Sequence, residues 1–307
     1  MKRRIYGIGE TVLDIIFRNN QPIAAKPGGS ILNCMVSLGR TGLPVSFITE
    51  LGKDQTGAFI LDFLNKNGID TSFVHCYDDG KTALALAFLN EKNDASYSFY
   101  KQYPEIRMTG VQPVFNPGDI LFFGSFYGIM KEIRPDVLKM VYQARESGSM
   151  VLYDPNFRQS HLHELSVLRP MIIENISLCN ILRGSDEDFK LIFNTSSADE
   201  TYRVTRDLCP YLIYTSSSKA VYLRTPSVSA EFPVKKIIPV STIGAGDSFN
   251  AGLVYGLISR NITVDQLGLL SNDSWAYIIA AGIDFSSDVC LSLDNYISPD
   301  FALNYRL

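Results

Sequence analysis

The stretch Ser241-Thr242-Ile243-Gly244-Ala245-Gly246-Asp247-Ser248-Phe249-Asn250-Ala251-Gly252 decides how the rest of the chain is read. An approach rich in β-formers (Ile237, Ile238, Val240) runs into a small-residue turn, Gly244-Ala245-Gly246. The turn opens an apolar helical pattern carried by Phe249, Leu253, Val254, Leu257 and Ile258. Glycine permits φ > 0 and lets a ligand come close to bare N–H groups. The first N–H groups of a helix have no intrahelical acceptor, and the helix dipole is positive there. Such an end is an anion site suited to a phosphoryl group. Asp247 falls on the first turn beside it. A carboxylate there can take the proton of a hydroxyl attacking a phosphorus held by the turn. Standing alone, Gly-x-Gly-Asp reads first as a tight turn with a capping acid.

Composition narrows the field. The chain has 307 residues, 46% hydrophobic and 20% charged, with net charge −4. This is ordinary globular composition, with room for one large domain or two medium ones. Without a long basic run, nucleic acid is not expected as the main partner. An anionic nucleotide would instead need local positive potential from helix N-termini and a few Lys or Arg. The five cysteines (Cys34, Cys76, Cys179, Cys209, Cys290) are scattered without metal-ligand spacing, as in a reduced, cytoplasmic protein. No stretch approaches the ~20 apolar residues that span a bilayer, so no membrane partner is expected. The basic start Met1-Lys2-Arg3-Arg4 leads into a first strand over 5–9, which does not read as a signal peptide. His161-x-His163 is read as a solvated loop pair in preference to a metal site.

Strand 5–9 ends in Gly9-Glu10-Thr11-Val12-Leu13-Asp14, which places Asp14 just beyond the strand's carboxyl edge. Open α/β sheets bind ligands at that edge. A carboxylate there can accept from two hydroxyls; an exposed loop acid is the alternative. Gly28-Gly29 opens a helix reaching about Arg40, with Asn33 one turn in. A second helix over 55–67 ends at Asn67-Gly68. From 73 to 102 the apolar period becomes two, giving strands at 73–76, 82–89 and 95–101 with turns at 78–80 and 90–94. Three short strands without helices between them imply a separate small antiparallel sheet. After 110, strands near 119–124, 150–153, 178–183, 211–215 and 219–224 alternate with helices near 132–147, 164–174, 185–193 and 198–208. That alternation implies a mostly parallel sheet covered on both faces. Asp154-Pro155-Asn156-Phe157-Arg158 follows a strand, so it also lies at the ligand edge. Arg158 there suits negative charge on a moving phosphoryl group, or a loop salt bridge.

These runs together resemble the PfkB (ribokinase-like) sugar kinases from Gly9 to about Gly282. Thr242 to Gly252 resembles the family's C-terminal signature, and Gly28-Gly29-x-x-x-Asn33 its N-terminal one. Gly39-Arg40-Thr41-Gly42, Gly52-Lys53-Asp54-Gln55-Thr56-Gly57 and Asp-Pro-Asn-x-Arg also match. The resemblance implies a ribokinase-like three-layer α/β/α sandwich in a single catalytic domain over 1–307. A small antiparallel β lid, from about 15–27 and 71–110, would close over the sugar and pair two copies as a homodimer. It implies ATP and Mg²⁺ as cofactors and transfer of the γ-phosphoryl group to a primary hydroxyl. Asp247 would be the base, Gly244, Ala245 and Gly246 the anion cradle, and Arg158 a charge stabiliser. Asp14, Gly28, Gly29 and Asn33 would hold the sugar. Arg183, Ser185, Thr215, Ser217 and Asn250 would lie on the nucleotide side, with Asp188 and Glu187 toward the metal. Ser98-Phe99-Tyr100 and the Gly-Glu-x-x-x-Asp run look most like fructokinases, with ribokinase, ketodeoxygluconate kinase and nucleoside kinases as close alternatives.

Several positions depart from the pattern. Ser185 and Asp188 stand where the family has Asn-x-x-Glu; they equally read as a helix cap. Thr215-Ser216-Ser217-Ser218-Lys219-Ala220 replaces a Thr-x-Gly-x-x-Gly hairpin and loses both glycines. Ser241 replaces an Asp that supports a monovalent-cation site in many relatives, so activation by K⁺ is not expected with assurance. Trp275 and Tyr277 are bulkier than the small residues or Asn that relatives place beside adenine. The lost glycines motivate a rival of another class, a sugar- or nucleoside-binding homologue without catalysis. A dinucleotide-binding dehydrogenase fits poorly, because Gly7-Ile8-Gly9-Glu10 lacks the third glycine and a helix start.

Overall fold

Residues Ile120, Leu121, Phe122 and Phe123 are all buried, yet they belong alternately to two different cores. Side chains on a strand point to opposite faces in turn. The same alternation recurs in Met150, Val151, Leu152 and Tyr153, so a central sheet divides the molecule. The computed structural model describes residues 3–90 and 95–307. The expected turn over 90–94 lies, from 91 on, outside the described residues.

In chain order, β1 (Ile5–Ile8) leads to a hairpin of β2 (Val12–Arg18) and β3 (Gln21–Gly28), then α1 (Ser30–Arg40), β4 (Val45–Gly52) and α2 (Gln55–Lys66). Next come β5 (Ile69–Asp70), β6 (Val74–Tyr77), β7 (Lys81–Leu89), β8 (Ala95–Gln102) and β9 (Ile120–Gly124). A regular alternation follows: α3 (Arg134–Glu146), β10 (Met150–Asp154), α4 (Leu165–Leu178), β11 (Ile181–Ser185), α5 (Asp186–Phe193), α6 (Ala198–Thr205) and β12 (Leu212–Ser216). The chain ends with β13 (Ala220–Arg224), β14 (Ser229–Pro233), α7 (Ala245–Ser259), α8 (Asn272–Cys290) and α9 (Pro299–Leu303).

The large sheet has the order β14-β13-β12-β11-β10-β9-β1-β4-β5, parallel except at its β12-β13-β14 end. Residues of α1, α2, α7, α8 and α9 fill one core, and those of α3, α4, α5 and α6 the other. This is the three-layer arrangement the alternation implies. A separate four-stranded sheet has the order β3-β2-β7-β8. Its outer pairs are antiparallel, and β2 and β7 run parallel at its centre.

Two expectations are corrected. The strand expected at 73–76 does not belong to the small sheet: Val74–Tyr77 pairs in parallel with β4 at the margin of the large one. A period of two is common to both settings, and only the partner distinguishes them. Ile237, Ile238 and Val240 form no strand. Ile238 is 91% exposed, and the Val240 N–H goes to the Cys290 carbonyl in place of a ladder partner.

The small sheet is tied to the body by polar contacts from one face. Lys101 and Tyr103 both reach Glu10, and Lys26 reaches Asp294. Below them, Arg107 forms a buried ion pair with Glu50 of β4, and its guanidinium stacks on Tyr103 at 3.7 Å. Tyr127 and the Met108 N–H also donate to Glu50, so no oxygen of that buried carboxylate is left bare.

Candidate active site

Two helices start at the carboxyl edge of the large sheet, and each depends on a glycine. Gly244 has φ 80°, and a Cβ there would lie 2.4 Å from the Asn295 backbone oxygen. Gly29 has φ 133°, and a Cβ would lie 2.3 Å from the Glu10 backbone oxygen. Both conformations favour glycine. The Ser248 N–H donates to the Gly244 carbonyl at 2.9 Å, the first α-helical bond of α7. The amides of Gly246 and Asp247 precede it, in the positions helix geometry leaves without intrahelical acceptors.

α1 packs beside α7, and both oxygens of Asp247 are held by α1. Ser30 Oγ donates to Oδ1 at 2.6 Å, and Asn33 Nδ2 donates to Oδ2 at 2.8 Å. Burial pushes the Asp247 carboxyl above its ordinary range; Asn33, Ser30 and the charge of Arg158 oppose that, and Asp154 adds to it. Asp14 lies against Gly28, where a Cβ would be 2.0 Å from Oδ2. It stands on β2, in the small sheet, and not in a loop after β1. Burial raises its carboxyl to about 7. Tyr97 of β8 feels Asp14, Arg158 and Asp247 together, so it borders the same space. Arg158 is exposed on the loop after β10, with its charge acting on Asp247 and Tyr97. The structure thus brings Asp14, Gly28, Gly29, Asn33, Arg158 and Asp247 around one cleft between the two sheets.

The nucleotide-side residues behave differently. Arg183 donates to Asp154 at 2.7 Å and to Thr215 Oγ1 at 2.8 Å, and Asn250 donates to the same Asp154 oxygen at 2.6 Å. A Cβ on Gly246 would lie 3.3 Å from both terminal nitrogens of Arg183. The guanidinium therefore underlies the anion turn and adds its charge to the helix end. Asp154, to which the sequence reading gave no role, is the centre of this network. Its position at a strand's carboxyl end could have marked it. Ser30 was missed for a different reason: one hydroxyl at the start of a helix has no pattern.

Ser185 caps α5 in a reciprocal box with Asp188, whose other oxygen accepts the Phe157 N–H at 2.6 Å. With both oxygens taken and the side chain buried, Asp188 does not fit direct metal coordination. Glu187 is exposed on the first turn of α5 and does fit a water-mediated contact, the usual style of Mg²⁺. Among the described residues no three acidic, His or Cys groups form a ready-made metal cage. Ser217 sits at φ 42° in the β12–β13 turn, so a serine occupies the left-handed slot for which glycine is suited. Ser241 makes a local turn, its Oγ accepting the Ile243 N–H. Trp275 is fully buried in the core and packs near Tyr211.

The sequence pattern described as pfkB family carbohydrate kinase matches residues 4–286. Among named relatives, the chain is 24% identical to a fructokinase of Escherichia coli, over 87% of this chain and 88% of that protein. It is 25% identical to an aminoimidazole riboside kinase of Salmonella typhimurium, over 84% and 82%. The fold is similar to the crystal structure of aminoimidazole riboside kinase from Salmonella enterica with aminoimidazole riboside and an ATP analogue. That match has TM-score 0.84, 22% identity and 99% coverage of both chains. A double mutant of fructokinase from Vibrio cholerae O395, with fructose, ADP and potassium bound, matches with TM-score 0.83, 21% identity and coverage of 95% and 94%.

Proposed function

Because the chain belongs to the pfkB family of carbohydrate kinases, phosphotransferases with an alcohol acceptor, we propose that it moves the γ-phosphoryl group of ATP to a primary hydroxyl of a monosaccharide, with a fructose-type sugar favoured. The observation that carries this is Asp247, fixed by Ser30 and Asn33 on the first turn of a helix whose Gly246 and Asp247 amides precede its first helical bond.

In this reading the carboxylate of Asp14 and the side chain of Asn33 receive and orient the sugar hydroxyls. Asp247 accepts the proton of the attacking hydroxyl while the amides of Gly244 and Gly246, with Arg183 beneath and Arg158 beside, balance the phosphoryl charge. The Ala245 N–H, expected in the same cradle, is turned to the Thr242 carbonyl at 3.3 Å. Mg²⁺, when bound, would neutralise phosphate oxygens, and Glu187 would hold it through water. The small sheet acts as the lid that excludes water. Its outer face carries Ile15 and Phe17 beside Leu86 and Phe88, an apolar surface suited to pairing two copies. The five cysteines are unpaired, which suits a cytoplasmic setting. Among the described residues no helix is long and apolar enough to cross a membrane.

A second acceptor class has its own support. Tyr97 and Phe99 stack with centroids 5.9 Å apart, on the face of β8 that carries Lys101 to Glu10. They are 43% and 56% exposed and would meet the flat ring of a riboside. ADP release measured with fructose, ribose, ketodeoxygluconate and nucleosides decides between them. The highest kcat/KM is expected with fructose; a nucleoside maximum selects the second class. No ADP with any acceptor would support the non-catalytic homologue.

A further inference from the structure

Ser30 has no duty in its own helix. The cap of α1 is Gly29, which makes no side-chain cap bond, and the Ser30 hydroxyl crosses instead to Asp247 at 2.6 Å. Asn33 holds the other oxygen from the same side. The two donors are not equivalent. An amide NH₂ can only donate, so it opposes a proton on the oxygen it bonds. A hydroxyl both donates and accepts, so it can reverse its bond when its partner becomes protonated. The buried Asn33 Oδ1 has no hydrogen-bond partner among the described residues.

Resting on the reading of Asp247 as the base, we propose that Ser30 is a positioning residue which makes Oδ1 the oxygen that takes the acceptor's proton. Before transfer the hydroxyl donates to the ionised carboxylate and prevents its rotation. During transfer the acceptor O–H bond breaks and its proton passes to Oδ1. The acceptor oxygen bonds to the γ-phosphorus as the bond from that phosphorus to ADP breaks, its electron pair leaving on the β-phosphate oxygen. Ser30 then turns to accept from the new Oδ1–H, while Asn33 goes on donating to Oδ2. Without Ser30 the ionised form loses a donor, so the base becomes harder to ionise. The groups that face Asp247 are Ser30, Asn33 and Cys34 from α1, Asp154 and Arg158 from the end of β10 and its loop, and Tyr97 from β8. Removing Ser30 leaves the other five in place.

The test is the pH profile of kcat at saturating ATP and best acceptor, which leaves out the Asp14 titration that acts through sugar binding, recorded for Ser30→Ala, Ser30→Thr and Ser30→Cys beside the wild type. The acid limb is expected to move up by about one pH unit in Ser30→Ala, the scale of one lost hydrogen bond to a charge. In Ser30→Thr, which keeps the hydroxyl, the limb is expected to stay in place. Ser30→Cys, with a weak donor, is expected to follow Ser30→Ala and serves if that variant does not fold. Equal loss at every pH with the limb unmoved in Ser30→Ala or Ser30→Cys reduces Ser30 to a tie between helices and overturns the proposal. Full activity of Asp247→Asn is a different failure: it removes the base itself, whatever Ser30 does.

Discussion

Two regions border the turn at 244–246, and they use their polar groups in opposite ways. On the acceptor side, Ser30 and Asn33 reach across to Asp247, while Asp14 has no ion pair among the described residues and is raised by burial to about 7. Its groups are poised toward the cleft. On the nucleotide side, Arg183, Thr215 and Asn250 turn inward to Asp154. Outside them lie exposed apolar residues, Ile238, Val240 and Ile243, and a serine in a glycine-like turn. On the proposed reading, specificity resides in the aimed side chains that would meet the acceptor's hydroxyls, while backbone amides and a buried charge would meet the phosphates and tolerate change in the residues around them.

The largest effect should come from breaking the inward network. Arg183→Met leaves the Asp154 carboxylate buried beside an uncharged neighbour, at a cost of about 3–5 kcal/mol in denaturant unfolding. A change below ~1 kcal/mol would show that the network is not structural. On the acceptor side, Asp14→Asn removes an ionised acceptor of hydroxyl donors. KM for the sugar should rise about 10- to 100-fold, with a much smaller change in kcat.

Acidity sharpens the same point. Only the ionised carboxylate accepts from two hydroxyls, and burial holds Asp14 protonated up to about pH 7. Sugar kcat/KM should therefore climb about tenfold from pH 6 to pH 8 as that group ionises. In Asp14→Asn the component titrating near 7 should vanish; its persistence would assign it elsewhere. The smallest expected effect lies in the β12–β13 turn. Ser217→Gly relieves a left-handed serine and should stabilise the fold by about 0.5–1 kcal/mol, with a lower KM for ATP. An unchanged KM would mean that this turn does not approach the nucleotide.

How much of this was legible in the sequence follows from how the groups are carried. Gly244 to Asp247 are consecutive, so a turn, a helix start and a carboxylate could be read together. Gly28, Gly29 and Asn33 are equally local. The βα alternation after 110 was legible because its first strands, β9 and β10, are apolar runs with a helix after each. What escaped was decided by partners distant in the chain. The 73–76 segment has the same alternation whether it joins the small sheet or β4, and β4 claimed it. Ile237, Ile238 and Val240 favour strands by composition, yet the Val240 N–H goes to the Cys290 carbonyl, 50 residues on, in place of a strand partner. Asp188 was read toward a metal because it stands where the resembled family has the Glu of Asn-x-x-Glu; the helix-cap alternative is the one its bonds fit. Its oxygens are taken by Ser185 and by Phe157, 31 residues away.

The central claim is that open amides and a clamped aspartate act on one transferring phosphoryl group. Asp247→Asn tests it most directly, with sugar affinity by calorimetry and ADP release measured on the same preparation. Sugar affinity should stay within about threefold of the wild type while kcat falls at least ~100-fold, the scale of a lost general base. Unchanged kcat in that folded, sugar-binding variant would contradict the account.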